Sequence, residues 1–578
     1  MSNTWQATLD ERDDLKKYGG NALGLFALVL HFGLEDIESV ATDAVIDGSD
    51  DKKCDIVYID RNDRVAVVAQ CFCSQKQKAA APANKASDLS TAIGWLLNAE
   101  VAAIPMKLRS PSQILRQALE DLAIDKVHIW YVHNLPESRN VERELQVVET
   151  SSLAMLRDAF PKVQVQVHAK EVGKNTFEEW YVETLTPILV TDEFKIKTNG
   201  AFQLKMGKWK ACVAAIQTSF LRKVYRDNSV RLFSANVRDY LGARRSDSNI
   251  NNGIIQTAKS EPDNFWAYNN GITVLVNDFS LSKRTLTVRG LSVVNGAQTT
   301  GALGSVNEPL SDAWVQARFI KTADQEIVSN VIRYNNSQNK VTAADFRSTD
   351  RLQKRLREEF DSIPDAEYEG GRRGGSDSVI RRRKNLLPSF TVGQAIASLH
   401  GEPETAYNEK SAIWERDTLY TKYFNDGTSA AHIVFAYSLL RAVEARKLEL
   451  VAKAKDSSKE LTKSEEAQLT FFRNRGATYL AAAAIAGCLE VVLARKVSSM
   501  FRLSFGNKVS PERGQEHWGR IVSTLAPMFP RLEEALKPRL DNPARVTSTI
   551  DVFRELVEAT AEANKSIYAK FRGAVHFK

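Results

Sequence analysis

The chain has 578 residues, and 78 Lys and Arg against 71 Asp and Glu leave a net charge of +7. With 43% hydrophobic and 26% charged residues it has an ordinary globular composition and length for three or four cores, which excludes a mini-protein and a disordered tail. A charge of +7 diluted over this length specifies no partner, so local charge has to be read instead.

In chain order, residues 9–32 have helical periodicity, with Gly19-Gly20 as an interruption. Three strands are expected at 39–46, 54–60 and 65–73, the last two joined by a hairpin at 61–64. Helices follow at 86–103 and 112–123, then a strand at 127–133, a charged helix at 137–159 and a strand at 163–168. The middle of the chain is mixed, with strands at 273–277, 285–294 and 315–320 among helices at 209–225, 297–305 and 324–335. From about 391 onward nearly everything is helical in period, including 430–447, 464–493 and 547–571, with a solvated turn at 453–466. No apolar run reaches the ~20 residues of a spanning helix, since 22–32 and 477–489 both stop short. The first twenty residues are charged and lack the core of a leader, and the five cysteines suit a reducing compartment. The chain is therefore expected in the cytoplasm, away from membrane.

The strongest chemical signal is acidic. Residues 34–63 hold ten acidic residues against three basic ones. Asp55 shares a strand face with Val57 and Ile59, and in the next strand Gln70 shares one with Val68 and Phe72. An acid on an apolar face is costly unless something binds it, and adjacent strands offering a carboxylate and an amide oxygen can hold a hard divalent cation. Asp47 and Asp51 lie just upstream as further candidate ligands. The order helix, three strands, helix, strand resembles the PD-(D/E)xK nucleases, with Asp55 and Gln70 at motif positions. That resemblance implies Mg²⁺ and phosphodiester hydrolysis. Phe72 stands where the motif has lysine, and Lys76 is the nearby candidate to replace it.

Four Asn- and Gly-rich stretches mark the middle of the chain. They carry Asn236 and Arg238; Asn269, Asn270 and Gly271; Asn295, Gly296, Gln298 and Thr299; and Asn335 and Gln338. The Asn-Gly pairs read as turns, and the strand–turn–helix at 291–300 as a candidate anion-binding helix start. In order and spacing these stretches, with the acidic pattern Asp47, Asp51, Asp55, resemble the abortive infection phage resistance (AIPR) family. The resemblance implies anti-phage defence and makes the central residues candidate ligand contacts. A basic loop follows, in which Arg372, Arg373, Arg381, Arg382, Arg383 and Lys384 face one acid, Asp377, a composition suited to phosphate.

The expected architecture is thus a multidomain α/β and α+β chain. A restriction-endonuclease-like domain spans 1–185, a central α+β module with the basic loop 186–390, and a helical domain 391–578. Two functions remain open. One is a Mg²⁺-dependent nuclease acting on DNA or RNA. The other is a catalytically silent sensor or adaptor for nucleic acid, a nucleotide, a phage protein or an operon partner. A homodimer seam fits the Ala-rich stretch 480–486.

Overall fold

The computed structural model describes residues 4–34, 36–46, 50–61, 63–185, 188, 190–228, 232–233, 245–306, 312–324, 326–328, 330–332, 335, 347, 350–368, 370, 385–456 and 458–577. Asp47, Asn236, Arg238, Gln338 and the basic loop residues Arg372, Arg373, Arg381, Arg382, Arg383 and Lys384 lie outside them.

The N-terminal unit is a four-stranded sheet covered on both faces. Strand β1 (Ile56–Asp60) pairs antiparallel with β2 (Val65–Phe72), and β2, β3 (Lys126–His133) and β4 (Gln166–Val172) run parallel in the order β1-β2-β3-β4. On one face lie α1 (Ala22–Phe32) and α2 (Ile37–Ala44), whose buried residues pack with Ile56, Val67, Ala69 and Trp130. On the other lie the crossover helices α3 (Ala83–Leu97), α4 (Met106–Glu120) and α5 (Arg139–Ala159), packed on Val57, Val68, Ile129 and Tyr131. Parallel strands need such crossovers, and cover on both faces explains why the inner strands β2 and β3 are buried along nearly their whole length, whereas the edge strand β4 alternates. Gly24 lets α1 sit close to the sheet, because a Cβ there would lie 2.5 Å from Cys71 Sγ and 2.6 Å from Ile56 Cδ1.

The expected strand at 39–46 is α2 instead. Asp36 caps it, accepting from Ser39 N at 3.4 Å, and only Val45 makes an isolated bridge to Ile56. Its valines and threonine favour strands intrinsically, but an Asp at the N-cap that accepts the amide three residues on starts a helix. The sheet therefore lacks the antiparallel three-stranded run anticipated from sequence.

The central unit closes on itself. Strands β5 (Val190–Met206), β6 (Trp209–Gln217), β10 (Trp314–Thr322), β7 (Ile272–Leu275) and β9 (Thr285–Asn295) form a ring in that order, β9 returning to β5, with β8 (Asp278–Ser282) appended to β9. β5 serves two neighbours by changing register between Thr198 and Ala201, where Gly200 has φ +87°. The helix expected at 209–225 begins only at Thr218, because 209–217 is β6. Helix α6 (Ala297–Ser305) lies within one residue of its expected span.

The third core is helical and takes in Leu356, Phe360, Tyr368 and Leu387 as well as residues beyond 391. Its axis is α7 (Ala430–Lys455). The run 464–493 is divided into α8 (Lys463–Phe472), α9 (Ala477–Gly487) and a short turn of helix, with Gly476 left-handed between α8 and α9. Among the described residues, no helix is long and apolar enough to cross a membrane.

The helical region clamps the N-terminal unit. Arg441 of α7, with a side chain 10% exposed, bridges Asp36 at 2.7 Å and Glu444 at 2.6 Å, and Ser39 donates to Glu444 at 2.8 Å. Arg475 donates to Val57 O on the outer edge of β1, and its amide donates to Ser110 Oγ at 3.0 Å.

Candidate functional site

Asp55 and Gln70 lie close along the first two strands. Asp55 immediately precedes β1, its N donates to Ala69 O at 2.9 Å and its carboxylate accepts from Cys71 N, so it is held against the Ala69–Cys71 stretch of β2 that carries Gln70. The row continues across the sheet, since Gln70 is in register with Tyr131 and Tyr131 with Glu171. Four polar residues thus line the carboxyl ends of three parallel strands, the usual place for ligands in open α/β sheets.

Each member is constrained. Asp55 Oδ2 accepts from Cys71 N at 2.8 Å, while Oδ1 accepts no bond among the described residues. Burial raises the Asp55 carboxyl to about 6, against the opposing pull of the Cys71 N–H, and the nearby Asp51 adds to the rise. Gln70 is 5% exposed and its Oε1 is buried without a partner among the described residues. The Tyr131 hydroxyl is likewise buried and finds none among them, and burial pushes its pKa up. Glu171 is held further along by His133 Nε2 at 2.9 Å and by Ser138 N at 3.1 Å.

The loop before Asp55 is tightly wound. Asp51 accepts from Lys53 N at 2.9 Å and its carbonyl from Cys54 N at 3.0 Å, and Asp50, Lys52 and Lys53 have φ of 62°, 52° and 69°. Lys53 reaches Asp88 of α3 at 3.4 Å and Lys52 lies 4.8 Å from the Trp95 ring, so α3 fixes the loop. Lys76 is exposed in the segment after β2, where its carbonyl accepts from Ser74 Oγ at 2.8 Å. Two cations that sequence reading missed act on Asp55 instead, Lys85 of α3 and Lys455 at the end of α7. Both are remote in sequence from the strands, and only the helix packing brings them in.

The donor chemistry here is two oxygens of the hard kind. Asp55 Oδ1 and Gln70 Oε1 are oxygen donors without other bonds among the described residues. Among those residues no group of three or more His, Cys, Asp or Glu side chains converges on a metal position. Few protein ligands leave room for water and phosphate oxygens, which is how Mg²⁺ is commonly held. A cavity of about 500 Å³ beside Asp125, Arg157 and Gln166 lies at the opposite end of the sheet and does not include these residues.

The central motifs also converge. Asn269 Nδ2 donates to Thr299 Oγ1 at 3.2 Å, and Asn269 Oδ1 accepts from Gly271 N at 2.9 Å. Gly271 and Gly296 have φ of +79° and +92°, and a Cβ on Gly296 would lie 2.5 Å from Ile272 Cγ2 and 3.0 Å from Gly271 O. Arg318 of β10 links Thr273 at 3.0 Å to Asn335. Asn269, Gly271, Gly296, Thr299 and Asn335 therefore knit β7, β9 and β10 together at one end of the barrel. Asn270 is exposed, and Asn295 and Gln298 are half-buried beside them.

Residues 233–490 match the AIPR protein family. The match takes in β7 to β10 of the barrel and the helical region that carries Arg441 on α7 and Arg475 in the turn before α9, and it agrees with the resemblance read from the Asn and Gly motifs. The Asp55 site lies outside it. No curated protein and no solved structure matches the chain.

Proposed function

We propose that the chain is an abortive-infection type anti-phage protein whose N-terminal unit is a restriction-endonuclease-like, cation-dependent phosphodiesterase acting on nucleic acid. The AIPR match supports the defence role. The observation that carries the chemistry is Asp55 bound to the backbone of Cys71 next to Gln70, a carboxyl raised to about 6 close to a buried amide oxygen with no partner among the described residues. Such a pair is destabilising in an empty protein and is repaid by a bound cation. A divalent cation supplies Lewis acidity to a phosphodiester and activates water. Asp55 and Gln70 hold and orient it, Cys71 N–H fixes the carboxylate, and the buried Tyr131 hydroxyl offers a hydrogen bond from the third strand.

Phe72 favours a second reading, a silent nuclease fold that senses nucleic acid or a partner protein. One assay separates them. The full chain is incubated with plasmid, linear DNA and RNA in Mg²⁺ or Mn²⁺, beside Asp55→Asn. Cleavage that requires Asp55 supports the enzyme. Nucleic-acid binding that is indifferent to cation and to Asp55→Asn, without cleavage, supports the sensor.

A further inference from the structure

We infer that Lys85 supplies the positive charge that position 72 lacks, entering the site from helix α3 and seated on the ring of Phe72. The inference rests on the reading of Asp55 and Gln70 as a cation and phosphodiester site.

Lys85 lies in the first turn of α3, half-buried, with Nζ 5.3 Å from the Phe72 ring centroid. Phe72 follows Gln70 by two residues on β2, so the two side chains share a face and the ammonium stands over the position a motif lysine would fill. Lys85 makes no ion pair among the described residues, so its ammonium is not neutralised by a carboxylate. An aromatic face holds an ammonium without neutralising it, whereas a carboxylate partner would. The helix itself gives no reason for the charge, since a cation in the first turn opposes the helix dipole. Phe72 thereby becomes a support for the lysine rather than its loss. A cation at this point neutralises charge developing on a phosphodiester in its transition state.

Lys76 and Lys455 are the competitors. Lys76 is exposed beyond the end of β2, and Lys455 approaches Asp55 from the far end of α7. The test uses the full chain and five variants: Lys85→Met, Lys85→Arg, Lys85→Met with Phe72→Lys, Lys76→Met and Lys455→Met. Circular dichroism and thermal melts check that each is folded. The readouts are cleavage of a labelled duplex in Mn²⁺ and its binding in Ca²⁺, followed by anisotropy.

Lys85→Met is expected to lower the cleavage rate on the order of 100-fold and to weaken binding about tenfold. Lys85→Arg retains most of the binding. Adding Phe72→Lys to Lys85→Met restores both readouts, which no purely structural role for Lys85 would allow. Lys76→Met and Lys455→Met stay within about twofold of the parent. Lys85→Met at parental levels, loss in Lys76→Met or Lys455→Met instead, or a folded double variant that recovers nothing overturns the inference. A chain that binds no Mn²⁺ in an Asp55-dependent manner removes the site itself and Lys85's role with it, an outcome distinct from intact Mn²⁺ binding with a silent Lys85.

Discussion

Asp55→Asn should stabilise the cation-free protein above neutral pH. Burial raises the carboxyl from 3.8 to about 6, so between those values the folded chain holds a proton that the unfolded chain releases. Stability contributed by this group is complete below the unfolded value and is lost as pH rises through about 6. The full difference corresponds to about 3 kcal/mol, and partial exposure of the side chain reduces it to about 2 kcal/mol. Asparagine keeps an oxygen for Cys71 N and never ionises. At pH 7.5 the variant should be more stable by about 2 kcal/mol, or roughly 4–8 °C for a unit of this size, and at pH 4 the two should coincide. Denaturant melts followed by tryptophan fluorescence at both pH values measure this, since Trp130 and Trp95 lie in the same unit. Mn²⁺ should reverse the order at pH 7.5, because a ligand at about 100 times its Kd adds ~2.7 kcal/mol to the parent alone. A variant that is no more stable than the parent at pH 7.5, or a gap that is the same at pH 4, refutes the account of Asp55 as a strained, cation-seeking carboxylate.

Three further outcomes test the scaffold. Arg441→Met leaves Asp36 and Glu444 buried without their cation and should cost about 3–5 kcal/mol, measured by urea denaturation. Gly24→Ala pushes a methyl into Cys71 Sγ and Ile56 Cδ1 and should cost about 1–3 kcal/mol; adding Cys71→Ala should recover part of it, and a neutral single variant would contradict the close packing. Gly296→Ala must adopt φ +92° and meets Ile272, so about 1–3 kcal/mol is lost; the hydroxyl of Thr299 should also lose its Asn269 partner, seen as faster amide exchange at Gly271.

Much of the site was legible because strand alternation is local. Strands at 54–60 and 65–73 matched β1 and β2 closely, and period two aligned Gln70 with Val68 and Phe72 within β2. What failed was decided by context. Residues 39–46 have strand-forming side chains but a helix cap ahead of them, and the cap prevailed. β5 went unseen although FKIK and FQLKM both alternate, because Asn199-Gly200 between them reads as a turn that would end the strand. Lys85 lies just ahead of the helix expected at 86–103, and only the docking of α3 on the sheet brings it over Phe72. Arg441 and Asp36 are separated by 405 residues, and no pattern in one stretch announces the other.

Arg475 has an implication for how this chain can be divided. The outer edge of β1 would be an open template for a strand from another molecule, but Ile46 N covers Asp55 O and the Arg475 guanidinium covers Val57 O. The N-terminal unit therefore borrows its edge protection from a residue more than 400 positions away. Cut free of the helical region, it would expose the bare Val57 carbonyl along with an apolar seam, and strand-to-strand aggregation should follow. The boundary between the two regions is thus one at which the chain cannot be cut to give a well-behaved N-terminal fragment.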